Sequence, residues 1–237
     1  LGMGTWSVGT DGGGSVRIPA SFTGTVALKP TFGRIPLYPP SAYGTLSHAG
    51  PMTRSVRDAA LLLDVLARPD ARDWAALDRA SGSYLAGIED GVEGVRIAYS
   101  PALGYGTNDP EVEAAVGAAA QLLAELGAHV EQVDPDITDC VDAFHVLWFT
   151  GAAKVVEQFG EGALERIDPR LAQAVVELGT DVSASDYLDA TAVRMDLGVR
   201  MGAFHERFDL LLTPTMPIAA FPVGQDAPDG WPSTLWT

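Results

Sequence analysis

Cysteine, lysine and positive charge are what this chain has least of. Cys140 is the one cysteine among 237 residues, which excludes an internal disulfide and any zinc site built from several thiolates. A lone thiol suits a reducing compartment, so the expected location is cytoplasmic. Lysine occurs twice, as Lys29 and Lys154, and 15 basic residues face 31 acidic ones for a formal net charge of −16. A surface of that sign cannot displace counterions from a nucleic-acid backbone. It also repels an anionic membrane. No nucleic acid and no membrane is expected as a partner. No apolar run reaches the ~18 residues of a membrane span, and no signal-peptide pattern is visible. His48, His129, His145 and His205 are scattered, none in His-Glu-x-x-His spacing, so no metal site is expected.

Hydrophobic residues make up 47% of the chain and charged ones 19%, enough to bury a core. The length fits one large domain or two small ones at ~100–200 residues each. No linker stands out, and residues 1–237 are read as a single domain. The first fifty residues are rich in Gly, Pro, Ser and Thr, with short β-type runs at Thr5 to Val8 and Thr25 to Leu28. Ser55 with Asp58 predicts a capped start for an amphipathic helix over 55–67. Residues 68–94 read as turns, with a short helix near Trp74. Val95 to Tyr99 reads as a strand. Asp109-Pro110 starts a helix that Gly127 ends, and Ala128 to Val133 is the next strand. Strand, helix, strand at this spacing predicts a parallel βαβ unit. Residues 139–160, 169–179 and 184–208 read as helical and Leu210 to Thr213 as a last strand. The tail after Phe221 has no periodicity. The expected architecture is α/β, a mixed sheet covered by helices on both faces.

The chemistry concentrates in Val8-Gly9-Thr10-Asp11-Gly12-Gly13-Gly14-Ser15-Val16-Arg17-Ile18-Pro19. Consecutive glycines cost backbone entropy on folding and serve where N–H groups must approach a ligand. Such a nest binds an anion or an oxyanion. Ser15 beside it has the arrangement that acyl transfer requires. Three readings compete on the residues alone. One is a surface turn. Another is a phosphate loop, which lacks the Gly-Lys-Ser/Thr ending and a following helix, since Pro19 comes too soon for one. The third is a serine nucleophile, although Arg17 breaks the Gly-x-Ser-x-Gly elbow.

Gly9-Thr10-Asp11, Gly13-Gly14-Ser15, Arg17-Ile18-Pro19-Ala20, Gly24 and Leu28-Lys29-Pro30-Thr31 resemble the second half of the amidase signature. Gly50-Pro51-Met52-Thr53-Arg54-Ser55-Val56-Arg57-Asp58-Ala59-Ala60 is similar to the family's next motif and helix. The βαβ unit ending Leu126-Gly127-Ala128-His129-Val130 and the run Phe208-Asp209-Leu210-Leu211-Leu212-Thr213-Pro214-Thr215 continue the likeness in order along the chain. The resemblance implies an amide hydrolase with a Ser, cis-Ser, Lys triad, no cofactor and a small-molecule amide substrate. A homodimer is one assembly open to it. By resemblance Ser15 is the nucleophile and the amides of Gly12, Gly13 and Gly14 form the oxyanion hole. Asp11 and Arg17 match supporting positions that hold the loop, or else form a plain ion pair of little worth.

The family's Lys and bridging Ser precede this motif, and Ser15 lies fourteen residues from the first residue here. The expectation is a partial amidase domain that does not turn over amides by itself. The alternatives kept are a glutaminase-type A subunit of a tRNA-dependent amidotransferase and a non-catalytic fragment. Lys154 and the acids from Glu157 to Glu165 read as solvated, the acids on one helix face. His145, Leu147, Trp148 and Phe149 read as core first and pocket lining second. The loop Tyr38 to His48 is expected to border the acyl pocket.

Overall fold

Gly50 and Pro51 interrupt any strand-like alternation, yet they lie in the middle of a sheet. The structure is a computed structural model that describes residues 4–137 and 140–225. The described residues of Leu1–Ile88, Leu147–Val182 and Pro222–Thr237 form one compact unit, and those of Glu89–Val146 and Ser183–Phe221 form a second. The chain is α/β. Among the described residues the strands divide between two three-stranded sheets, one in each unit, the first antiparallel and the second parallel.

In the first unit β1 (Ser7–Asp11), β3 (His48–Thr53) and β2 (Val26–Ala27) pair in the order β1-β3-β2. The β-type runs at Thr5 to Val8 and Thr25 to Leu28 overlap the two outer strands. The central strand β3 is not among the β-type runs read in the sequence, and it carries a proline, which removes a ladder donor. Here β2 pairs only with Met52 and Thr53. Pro51, next along the register and opposite Leu28, has no N–H to donate, so the β2 ladder stops before it. Its carbonyl still accepts from Leu28 N at 3.1 Å.

Gly50 stands opposite Gly9 across β1 and β3. A Cβ on Gly50 would lie 2.1 Å from the Leu28 carbonyl oxygen, and one on Gly9 would lie 2.7 Å from Val16 Cγ1. The bare pair makes room for Val16, which is fully buried. Gly50→Ala is therefore expected to destabilise the chain by ~3 kcal/mol, the upper end of overpacking costs. Urea unfolding of the two chains measures it.

A helix α1 (Arg17–Thr23) does follow Ser15, contrary to the sequence expectation. Pro19 occupies its third position, where the N–H has no partner within the helix anyway. Gly24, at φ 65°, caps its end and its N–H donates to Ala20. Helix α2 (Val56–Leu66) starts as expected, with Ser55 Oγ accepting from Asp58 N. It buries Leu63 and, just beyond its end, Ala67 against Ile35 and Ala49. Residues 68–94 form turns, and there is no helix at Trp74.

The second unit follows the sequence pattern closely. β4 (Arg96–Tyr99), α3 (Pro110–Glu125) and β5 (His129–Gln132) form the parallel βαβ unit. Asp109 caps α3 by accepting from Glu111 N, and Gly127 at φ 97° turns the chain back. Ile97 and Ala98 on β4 are buried. Helix α4 (Val141–Glu157) belongs to this unit up to Val146 and to the first from Leu147. Helix α5 (Pro169–Gly179), capped by Asp168, packs Ala174 and Val175 against Phe149 and Ala152 in the first unit. Helix α6 (Ala184–Arg207) opens on a capping box of Ser183 and Asp186. β6 (Leu210–Leu212) then pairs beside β4, which completes the order β5-β4-β6. The proline-bearing tail expected after Phe221 lies outside the described residues from 226 onward. No helix among the described residues is long and apolar enough to cross a membrane.

Candidate active site

Asp11 ends β1 with its side chain fully buried, and the glycine turn folds around that carboxylate. Gly14 N donates to Oδ1 at 2.7 Å and Val16 N to Oδ2 at 3.3 Å. Arg17, from the first position of α1, adds a two-pronged pair, Nε to Oδ2 at 2.9 Å and Nη2 to Oδ1 at 2.8 Å. Burial alone pushes the Asp11 carboxyl up. The Arg17 guanidinium and the two backbone N–H donors outweigh it and hold the group below the usual carboxylate value. Asp11 and Arg17 thus tie the two ends of the turn together, and this pair is not the exposed kind that contributes little.

Ser15 stands at the apex of this turn, exposed, between buried Gly14 and buried Val16. Neither its hydroxyl nor its amide bonds any described residue. Gly14 has φ 112°, a conformation an L side chain rarely adopts. The Gly14 N–H points to Asp11, so of the three glycine amides named by resemblance this one is directed at the carboxylate and away from an oxyanion. Gly14→Ala is expected to cost about 1–3 kcal/mol of strain, readable as a lower urea midpoint.

The loop Tyr38 to His48 reaches this site through Leu46 and through His48, which stands opposite Asp11 across β1 and β3. The Leu46 carbonyl oxygen and the Trp148 indole Nε1 lie 4.0 and 3.7 Å from the position a Gly12 Cβ would take. Pro40, Ser41, Gly44, Thr45, Ser47 and His48 of that loop, with residues 30–33 and 73–75, line a separate cavity of about 110 Å³ that Ser15 does not line. His48 is buried, one ring nitrogen 2.8 Å from the Leu46 carbonyl and its ring edge-on to Phe32. Burial first, and then the charge of Lys29, push its pKa below the ordinary histidine value. Lys29 Nζ donates to the Pro30 carbonyl at 3.0 Å.

The cluster on α4 divides. Leu147 and Phe149 are core, as expected, whereas Trp148 is half-buried and faces the turn. Lys154 is solvated, 2.9 Å from Glu157. The acids beyond Glu157 are exposed but leave the helix: Glu161 is in a turn and Glu165 in a 3-10 segment. Among the described residues no group of three or more His, Cys, Asp or Glu is placed to hold a metal ion. In the sequence Trp148 stands out only together with its neighbours. Its contact with Gly12 is what separates it from them.

The family model for amidases matches residues 1–237. The chain belongs to the amidase signature family. It is 36% identical over 235 residues to an acylamidase of Rhodococcus erythropolis, covering 96% of this chain and 48% of the relative. It is 34% identical over 252 residues to the A subunit of the glutamyl-tRNA(Gln) amidotransferase of Myxococcus xanthus, covering 94% and 51%. Among solved structures, a bacterial aryl acylamidase of the amidase signature family superposes with a TM-score of 0.83 at 31% identity, covering 94% of this chain and 48% of that one. The chain spans about half the length of the curated relatives it matches. Both sheets and the glycine turn therefore belong to an amidase signature fold.

Proposed function

We propose that this chain carries the nucleophile of an amide hydrolase and forms part of a single amidase domain, its two units included. The observation that carries the reading is the Asp11-centred turn, which presents exposed Ser15 beside a run of glycine amides. Ser15 Oγ adds to the carbonyl carbon of a small carboxamide and gives up its proton. The oxyanion that forms is met by backbone N–H groups of the Gly12–Ser15 turn other than that of Gly14. The C–N bond then breaks, the amine or ammonia leaves with the proton, and water hydrolyses the acyl-serine to acid. The proton carrier is the Lys and cis-Ser pair that the resemblance places outside these residues. The reading includes a cytoplasmic site of action and leaves a homodimer open.

A fluorophosphonate probe tests it on the native polypeptide that carries this chain. One adduct, mapped to Ser15 by peptide mass spectrometry, supports the reading. A protein that hydrolyses amides while Ser15 stays unlabelled overturns it. The likeness to the A subunit of an amidotransferase favours a second reading, glutaminase activity. Ammonia release from glutamine with the partner subunits of such an enzyme distinguishes the two.

A further inference from the structure

We propose that His48 is a positioning residue for Ser15: its ring braces the root of the glycine turn, joining the Asp11 end of β1 to the Leu46 carbonyl that lies over Gly12. The proposal rests on the nucleophile reading above and adds to it a residue and a pH window.

Four polar side chains are buried among the described residues: Asp11, His48, Thr53 and Ser100. Three have a local reason. Asp11 anchors the turn. Thr53 Oγ1 donates to the Ser55 carbonyl at 2.8 Å ahead of α2, and Ser100 Oγ donates to Asp134 at 2.6 Å after β4. His48 is the fourth, and it adjoins the site. It opens β3 directly opposite Asp11, the last residue of β1. Residues paired in this way present their side chains to the same face of a sheet.

From that position the ring reaches back two residues. Its Nδ1 lies 2.8 Å from the Leu46 carbonyl oxygen. A carbonyl only accepts, so Nδ1 carries the hydrogen. The same oxygen lies 4.0 Å from the position a Gly12 Cβ would take. The Asp11 backbone carbonyl is a second partner of the ring. Phe32 meets it edge-on, with centroids 5.8 Å apart. One imidazole thus touches both the strand end that supplies Asp11 and the loop atom over Gly12, three residues before Ser15. Removing the ring leaves the Asp11–Arg17 pair in place but releases the Leu46 carbonyl from the turn.

The charged groups facing the ring are Lys29, just past β2, and Asp11 with its partner Arg17. Asp73 lines the same cavity as His48, its oxygens taken by the N–H groups of Leu37 and Ala75. Burial, and then Lys29, outweigh the pull of the Leu46 and Asp11 carbonyls and of the Asp11 charge, so the brace works with a neutral ring. Protonation sets a second positive charge beside Lys29 where there is little water. The folded pKa lies below the ordinary value of 6.5, so between the two the unfolded chain binds more protons. The order of the turn is therefore complete above the ordinary value and declines as pH falls below it.

The test uses the native polypeptide with His48→Leu and His48→Asn. The rate of fluorophosphonate labelling at Ser15 is read from about pH 5 to about pH 8, the range in which a histidine titrates, with a urea midpoint alongside. His48→Leu fills the space without a donor, and its labelling at the alkaline end should be about 10-fold slower, the worth of one buried hydrogen bond. His48→Asn keeps a donor near the place of Nδ1 and does not titrate. It should recover most of that loss, and it should lack the extra decline that the parent shows at acid pH. A base outside these residues titrates alike in all three proteins, so the difference between parent and His48→Asn isolates the ring. A histidine with a structural role alone would move the urea midpoint and leave the labelling profiles of the folded proteins parallel. Parallel profiles, or His48→Leu labelling at the parental rate, overturn the proposal. If His48→Leu does not fold, the comparison of parent with His48→Asn decides. A polypeptide that hydrolyses amides with Ser15 unlabelled overturns the nucleophile reading itself, whereas Ser15 labelling that ignores His48 overturns only the brace.

Discussion

Ser15→Ala in the native polypeptide is expected to abolish amide hydrolysis while leaving the fold untouched. Loss of a serine nucleophile in a serine hydrolase lowers kcat by roughly 10⁶-fold, and the residual rate over water comes from oxyanion donors and binding. The separation from stability follows from the geometry. Ser15 is exposed and its hydroxyl bonds no described residue, so its removal breaks no native interaction. Exposed substitutions of that kind stay within ~0.5 kcal/mol. Steady-state kinetics and a urea titration on the same preparation check both halves. A tenfold loss in place of near-total loss would move the nucleophile elsewhere. A large stability change would mean that the turn depends on the hydroxyl.

Asp11→Ala should do the reverse and act on stability first. The carboxylate is fully buried and receives four donors: two backbone N–H groups and two guanidinium nitrogens. Truncating one member of a buried pair commonly costs ~3–5 kcal/mol, because the partner is left without its counter-charge. Arg17 is 39% exposed and can turn to water, which places the expected loss near ~3 kcal/mol. Gly14 and Val16 would keep unsatisfied N–H groups, so the apex that presents Ser15 should loosen and its labelling by a fluorophosphonate should slow.

The same carboxylate gives a pH signature. Its folded pKa lies below the ordinary value of 3.8, so its stabilisation is fully present above the unfolded value. It is lost as pH falls through the folded one. The parent should lose stability on that acid limb, and Asp11→Asn should lack this component. Parallel acid limbs for the two chains would mean that Asp11 does not hold the turn.

Local spacing determined most of the helices. Ser55, Asp109, Asp168 and Ser183 each place an oxygen on a nearby backbone N–H, an interaction confined to neighbours in sequence and so legible there. The βαβ unit followed for the same reason, since the helix, its cap and Gly127 are contiguous. The Gly-rich run with Ser15 could be picked out because consecutive glycines are expensive unless backbone groups are used. The family resemblance narrowed the choice left open by the residues.

Tertiary structure alone decided the rest. Strand β3 carries Gly50 and Pro51, and no β-type run is read there. It becomes a central strand because Gly9 lies opposite and Val16 needs the space. That reason joins residues some forty positions apart, and no periodicity encodes it. Helix α1 was hidden by Pro19, whose cost vanishes only once the helix is known to begin at Arg17. The division of the strands into an antiparallel and a parallel sheet depends on pairing between distant segments. Asp11 and Arg17 could be named from the sequence, but only burial distinguishes an anchor of the turn from a surface ion pair. Trp148 looked like its core neighbours Leu147 and Phe149. Helix periodicity gives its direction on α4, and only the packing of α4 against Tyr43 and the turn places the indole beside Gly12.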